Sequence, residues 1–593
     1  MSLLLSFAVA AALSAQTEPR RQPTVVVTAS RREQMLARTL AATTVINRAD
    51  IEASGVDDIA DLLRRQAGID VARTGGSGQS TSVFMRGTNS NHVLVLIDGV
   101  RVASANTGAY TWEHLPLAQV EQIEIVRGPR AAYWGSDAIG GVIAITTRRA
   151  AGSAVQLSAG RWDRRAIEAS HGVGDDTAGW SISAGHERLD GYSTQNAAGF
   201  SFDPDDDGYD RDALVLAGHR AFGMQMLAAS ALGTDARVEF DRGASRVDQH
   251  ALSARLSGPL GDRWSHDLVV GSVRDRIETP DFFQAFDTRR EQADWLHRVA
   301  LGAHDDIVAG LNWQRDRGGN FSFPAGTANY AATRTNRALF VSAAGAREAF
   351  DHELSLRHDR NSAFGSATTS QVAGGLNIGP GRAHASWGQG FRAPNFNELY
   401  SPGFGGQFAG NPALEPERSR SAELGYAVDH GDWRVATRAW STRIDDLVAF
   451  QAPGTFNAIN IARARIDGVE IESGLRVDAW SLSGNLTWQD PEDASTGLDL
   501  LRRPARKATL GIERAFDGGG LLAMTAQYAS ERREFGGPLA PYTVVDLRWS
   551  MPLGHGFAAA LELTNATDRD YELARGFNTP DRAFGMRLSW NSP

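Results

Sequence analysis

Apolar and polar residues alternate with a period of two over most of this chain. In residues 583–590, Phe584, Met586, Leu588 and Trp590 fall on one face, and Gly585, Arg587 and Ser589 take the other. Residues 509–513 place Leu510 and Ile512 two apart, and residues 543–549 repeat the spacing. Alternation of this kind marks a strand with unlike faces. From about residue 150 to the end, such segments are separated by clusters of Gly, Asp, Asn and Pro. One apolar and one polar face suit a wall between lipid and a wet or plugged lumen, although a soluble sandwich gives the same local pattern. Scale separates the two. About 440 residues of this pattern, at roughly 20 per strand and connection, make about 22 strands, well beyond one sandwich domain. Lipid tolerates no open sheet edge, so the wall must close.

A barrel that wide has a lumen to fill. Residues 31–149 have the size and composition to fill it. Residues 58–68 predict a short helix, with Ile59, Leu62 and Leu63 on one face and Gly68 as its stop. Residues 93–97 predict a buried strand closed by the Asp98–Gly99 turn. Residues 123–126 predict a second strand, and residues 142–146, after Gly140 and Gly141, a third. The expected fold is an all-β membrane protein. A 22-stranded antiparallel transmembrane β-barrel, residues 150–593, is filled by an N-terminal mixed α/β plug, residues 31–149.

Composition narrows the function classes. The chain has 593 residues, 42% of them hydrophobic, so it is not a disordered chain. No run of 18 apolar residues follows the first fifteen, which argues against a helical membrane protein. Residues 1–15 read as a secretory signal, with an apolar body and a small-residue end but without the usual basic start. Residues 16–30 then form a periplasmic segment. A net charge of −10 does not suit a nucleic-acid binder. Cysteine is absent, which removes disulfides and thiol chemistry. No Ser or His lies in a nucleophile context such as Gly-x-Ser-x-Gly, so an enzyme is not expected. His92 and His114 read as loop or packing residues. The densest acidic run, residues 203–210, sets four carboxylates within five residues. Such a run is either a solvated loop or a site for a hard cation such as calcium, which takes six to eight oxygen ligands.

Two stretches carry a family resemblance. SVFMRGTNSNHVLVLIDGVRV, residues 82–102, and VEQIEIVRGPRAAYWGSDAIGGVIAITTRR, residues 120–149, resemble the plug core of TonB-dependent outer-membrane receptors, nearest to the vitamin B12 (cobalamin) receptors. WGQGFRAPNFNELY at 387–400, GNPALEPE at 410–417, ARIDGVE at 464–470 and LTNATDRDY at 563–571 are similar to the family's barrel segments, so the resemblance spans essentially the whole chain. The terminal aromatic of the family is Trp590 here, followed by three further residues.

The resemblance implies active import of a corrinoid without a chemical step. TonB with ExbB and ExbD would supply the energy, and a periplasmic corrinoid-binding protein would take the cargo. Lipopolysaccharide and other outer-membrane lipid would surround the wall. Thr24, Val25, Val26, Val27, Thr28 and Ala29 resemble the TonB box. An extended β-branched run near a terminus is a ready edge for strand addition, and an ordinary plug strand is the alternative. Arg86, Arg127 and Arg130 take the place of charges between plug and wall; Glu121 and Glu124 are near them in sequence. The family's calcium ligands fall on Asp203, Asp205, Asp207, Asp241, Asp248 and the Phe240 carbonyl. Ser193 stands where the family has a further aspartate, with Asp190 and Asp210 near it. Substrate contacts fall on Ser80, Ser82, Asn89, Thr107 and Gly108 in the plug, and on Arg242, Thr288, Arg502 and Phe535 in the wall and loops. Competing readings are a receptor of the same build for a siderophore, heme or other scarce nutrient, and a passive porin or adhesion barrel.

Overall fold

A computed structural model describes residues 25–26, 30–452 and 454–592. The expected signal at residues 1–15 lies outside the described residues, as do Thr24, Val27, Thr28 and Ala29. Among the described residues no helix is long and apolar enough to cross a membrane. Strands make the crossing. Twenty-two of them form a closed antiparallel barrel, from Gly152–Gly160 to Ala583–Asn591. The last strand pairs back onto the first, from Ala154 opposite Asn591 to Gly160 opposite Gly585. Every wall strand therefore has two neighbours, and no backbone edge meets lipid.

The two-residue alternation decides which side chains meet lipid. On the last strand, Phe584 and Met586 point outward at 67% and 60% exposure. Arg587, one residue along, turns inward and reaches the plug, 2.7 Å from Asp57. The two ends of the barrel differ. One end carries tight turns, such as residues 223–224, 262–263 and 555–556; the other carries long connections, such as 190–208, 393–416 and 565–582. Outer-membrane barrels place short turns inside and long loops outside, which orients this one.

The plug is built on a five-stranded sheet. Its order is Ala42–Asn47, Val120–Arg127, Gly141–Thr147, Val93–Ile97 and Val100–Arg101. Val93–Ile97 and Gly141–Thr147 run parallel, and the other pairs are antiparallel. The three strands expected from sequence are all present. The expected helix runs over Ile59–Arg64, where Asp58 caps it by accepting from the Ala60 and Asp61 amides. It ends sooner than residue 68 because the Arg65 and Gln66 amides already bond three residues back, to Leu62 and Leu63. A further helix, Arg48–Ser54, was not expected; Asn47 and Asp50 cap it reciprocally.

Plug and wall share a large buried cluster on one side, and Ile139 of the plug joins a smaller one with Ile444 and Ile466 of the wall. Ile59, Leu63, Val95, Ile123 and Ile143 belong to the same buried cluster as Val215, Leu232, Val269 and Val273 of the wall. Gly141 is central to this packing. Its φ is +152°, and an added Cβ would lie 2.1 Å from the Val126 carbonyl oxygen. Gly141→Ala is therefore expected to block assembly of the plug sheet. Limited proteolysis checks this: the variant's plug should be cut under conditions in which the parent's is resistant.

Candidate functional site

Three plug loops reach the long-loop end of the barrel, and each is tied to the wall or its loops. The first, residues 74–80, packs under the connection 190–208. Gln79 Nε2 donates to the Glu239 carbonyl at 2.6 Å, and Gly75 lies against Thr194. The second, residues 87–92, is held by Arg503, which donates to the Gly87 carbonyl at 3.0 Å and to the Asn89 side chain. The third, residues 104–109, is gripped from two sides. Thr288 Oγ1 accepts from the Ala105 amide at 3.1 Å and from Asn106 Nδ2 at 3.1 Å, and lies 3.0 Å from Ser104 Oγ. Asn395 donates to the Thr107 carbonyl at 2.9 Å.

These ties sort the expected substrate contacts. Ser80, Thr107 and Arg242 are exposed at the mouth, and Ser82, Asn89 and Gly108 are partly exposed. Gly108 has φ +73° and turns the third loop back, its amide donating to the Ser104 carbonyl. Arg502 donates to Glu534 at 2.7 Å. Phe535 is half exposed and meets Phe456 edge to face, and Phe456 stacks on Phe408. Three loops thus converge on one aromatic cluster, of which only Phe535 had a signal in the sequence. Thr288 stands apart. It is fully buried beneath the third plug loop, so its hydroxyl positions that loop and does not face the mouth. Thr288→Val leaves buried donors without an acceptor, at about 1–3 kcal/mol each. The expected outcome is faster hydrogen exchange at the Ala105 amide, with the barrel amides unchanged.

The acidic loop divides in the same way. Asp207 Oδ2 accepts from the Thr194 amide and hydroxyl, both at 2.7 Å. Asp241, 1% exposed, lies 2.8 Å from Thr194 Oγ1 and accepts from the Asp203 amide at 2.9 Å. Ser193 Oγ lies 2.8 Å from the Gln195 carbonyl, 3.0 Å from that of Asp203 and 3.4 Å from Asp241 Oδ1. These are hard oxygen donors around two buried carboxylates. Burial pushes the Asp207 carboxyl above the ordinary range, with the Asp241 and Asp205 charges adding to the shift against the Thr194 hydrogen bonds. Phe240 ends the strand before Asp241, and its ring lies 5.7 Å from that of Phe282. Asp205 is exposed in the loop. Asp248 is not brought to this group. It stands on the outer face of the wall, opposite Asp235, and lies 2.8 Å from His250. Asp210 also faces outward, where His186, Asp210 and Asp212 hold ligand atoms within 4.8 Å of one another. That cluster is able to coordinate a metal ion.

Charged anchors fix the side of the plug that faces away from the Val215–Val273 cluster. Arg86 donates to Glu470 at 3.0 and 2.9 Å and to Glu423 at 2.5 Å, with its guanidinium over the Trp440 ring. Its backbone is left-handed, at φ +50°, which costs about 1–2 kcal/mol and persists only where the surroundings hold it. Arg127 reaches Glu472 at 2.5 Å and Glu470 at 3.5 Å. Arg130 is buried beside Gln371, whose amide accepts from it when turned to donate to the Pro129 carbonyl. The wall strands supply the acidic partners of Arg86 and Arg127, namely Glu423, Glu470 and Glu472. His92, fully buried, accepts from the Asn89 amide at Nδ1 and meets Glu417 at Nε2, 2.5 Å away. The same Glu417 takes Arg392, which also holds Glu398. His92 is thus a plug-to-wall link of its own.

The plug matches the TonB-dependent receptor plug domain over residues 36–142. The wall matches the TonB dependent receptor-like β-barrel over residues 151–566. The chain belongs to the TonB-dependent outer-membrane receptors. A vitamin B12 transporter of Vibrio vulnificus is 31% identical to this receptor, over 94% of this chain and 92% of that protein. A vitamin B12 transporter of Vibrio cholerae is 30% identical, over 97% and 96%. The siderophore receptor PirA of Acinetobacter baumannii superposes with a TM-score of 0.78 at 16% identity, covering 92% of this chain and 98% of that one. The copper transporter OprC superposes equally well, at 0.78 and 16%, covering 92% and 99%. At that identity the superpositions establish the fold alone. The receptor is an outer-membrane, non-catalytic importer of a scarce nutrient, energised through TonB and its ExbB and ExbD partners.

Proposed function

We propose that the nutrient is a corrinoid of the vitamin B12 type. What carries this reading is the likeness to vitamin B12 transporters over nearly the full length of both chains. The mouth is compatible with such a cargo. Ser80, Ser82, Asn89 and Thr107 offer hydroxyl and amide groups to peripheral amides, and the Phe408–Phe456–Phe535 cluster offers an apolar face. Calcium, held by Asp207, Asp241, Asp203 and the carbonyls around Ser193, would order the loop 190–208 over the first plug loop. Residues 24–29 would engage TonB, and a periplasmic corrinoid-binding protein would receive the cargo.

Binding of labelled cyanocobalamin to purified outer membranes tests the reading. Saturable binding is expected, and it should weaken with a calcium chelator or with Asp241→Asn. No saturable binding, together with binding of a ferric siderophore or heme, would move the receptor to another cargo. The chelator effect has a pH sign. The raised Asp207 carboxyl opposes the loop's folding as pH rises through its pKa in the absence of a cation. A bound cation requires the ionised form, so calcium affinity should fall as pH drops through that same pKa.

A further inference from the structure

One sector of the mouth carries more positive charge than its carboxylates balance. Residues 500–506, 530–541 and 565–582 bring together Arg502, Arg503, Arg506, Arg532, Arg533 and Arg575. The Arg502 amide donates to the Arg533 carbonyl at 2.8 Å, and the Ser530 amide to that of Arg506 at 2.9 Å. Of the six side chains, only Arg502 forms an ion pair among the described residues, with Glu534 at 2.7 Å. The rest rely on neutral partners. Arg533 donates to the Asp499 carbonyl at 2.6 Å, Arg532 to that of Glu572 and Arg575 to that of Gly536. Exposure falls from the rim inward. Arg506, Arg533 and Arg575 are exposed and Arg502 is partly exposed, whereas Arg503 and Arg532 are buried, at 8% and 5%.

The two buried guanidinium groups share too few counter-charges. Arg503 lies 4.5 Å from the Phe84 ring and spends its donors on carbonyls and the Asn89 side chain of the second plug loop. The carboxylates that act on both Arg503 and Arg532 are Asp70 and Glu534. Each is already engaged. Glu534 holds Arg502 and accepts from the Phe535 amide at 2.8 Å. Asp70 accepts from Gln489 at 2.8 Å and faces Lys507 at 4.0 Å. Four cations, Arg502, Arg503, Lys507 and Arg532, thus share two carboxylates. Arg64, the next charge, is matched by Asp61 at 3.2 Å. Burial pushes Arg503 down to about 10 and lowers Arg532 as well. Burial acts on Arg86 too, but Glu470 and Glu423 outweigh it and raise that group. Carbonyls solvate a guanidinium without cancelling its charge, and a buried charge without a counter-charge is costly. Arg532 Nη1 is also buried without a hydrogen-bond partner among the described residues.

We infer that this sector is an anion subsite and that it takes the phosphodiester in the nucleotide loop of the cargo, an inference that rests on the corrinoid reading above. A phosphodiester carries one negative charge on two free oxygens, which a guanidinium fork matches. The exposed arginines at the rim attract it, and Arg503 and Arg532 gain the counter-charge they lack.

The test is equilibrium dialysis of the purified receptor in detergent, with calcium present, against cyanocobalamin, cobinamide phosphate and cobinamide. Cobinamide lacks the nucleotide loop and its phosphate. Cyanocobalamin should bind at least about tenfold more tightly than cobinamide, the value of about one charge-assisted hydrogen bond. Cobinamide phosphate should recover part of that difference. Arg503→Gln and Arg532→Gln should each lose the preference while cobinamide binds as before, and Arg503→Lys should retain part of it. Arg220→Gln, outward near the short turns, should leave all three affinities unchanged. A merely structural loosening of the plug loop would weaken every corrinoid alike. If Arg503→Gln does not fold, as judged by heat-modifiable gel mobility, Arg532→Gln and the parent's ranking decide. Equal binding of cobinamide and cyanocobalamin by the parent, an unchanged preference in the variants, or equal weakening of all three ligands would overturn the subsite and leave the corrinoid reading standing. Loss of the preference in equimolar inorganic phosphate would make it a site for the free anion and would overturn it too. No saturable binding of any corrinoid would instead overturn the corrinoid reading, and the subsite with it.

Discussion

Deletion of residues 24–29 is expected to reduce energised uptake to the background of cells lacking the receptor, with ligand binding at the outer face unchanged. The mouth is formed by plug loops and barrel loops at one end, and these residues precede the plug. Val25–Val26 pairs with Gln34–Met35 in a two-stranded sheet. So short a pairing adds little stability of its own. A partner offering a longer strand would displace it by β-augmentation, gaining main-chain hydrogen bonds in exchange. Binding and uptake of labelled substrate, measured on the same cells, separate the two effects. Uptake that survived the deletion would mean that these residues are not the coupling segment.

Glu470→Ala carries the second large effect. Glu470 is fully buried and holds both Arg86 and Arg127. Removing one partner of a buried ion pair costs about 3–5 kcal/mol, because the charge left behind has no water to turn to. The lower part of that range is expected here, since Glu423 and Glu472 still reach the two arginines. The loss should be local. On the opposite side, Ile59, Leu63 and Ile123 remain packed against Val215, Leu232 and Val269. Hydrogen exchange should therefore quicken at residues 84–88 and 125–130 before it does at residues 59–63. Uniform quickening across the plug would contradict the two-sided seating.

The wall was legible in the sequence because a period of two is a local property. The final strand's outward Phe584 and inward Arg587 follow from alternation alone. Asp248 was legible too. Counting by twos from lipid-facing Leu252 puts it on the outer face, away from Asp241. The residue-by-residue resemblance from which the calcium ligands were expected pointed the other way. The anchors of Arg86 were not legible, since Glu423 and Glu470 lie 337 and 384 residues along the chain. Only barrel closure and plug orientation bring them together, and neither leaves a mark near Arg86. Thr288 shows the same limit. Its inward direction follows from parity with Trp295, but the loop of residues 104–109 that covers it comes from the other domain. Phe408 and Phe456 lie on loops, where no periodicity marks a side chain's direction.

Accumulation of labelled cyanocobalamin is the direct measure of energised corrinoid import by this receptor. Cells with and without the receptor are compared, each with and without a protonophore. Saturable accumulation is expected, requiring the receptor and disappearing when the proton gradient is collapsed. Accumulation that persists without the gradient and rises linearly with concentration would contradict it, and would make the barrel a passive pore.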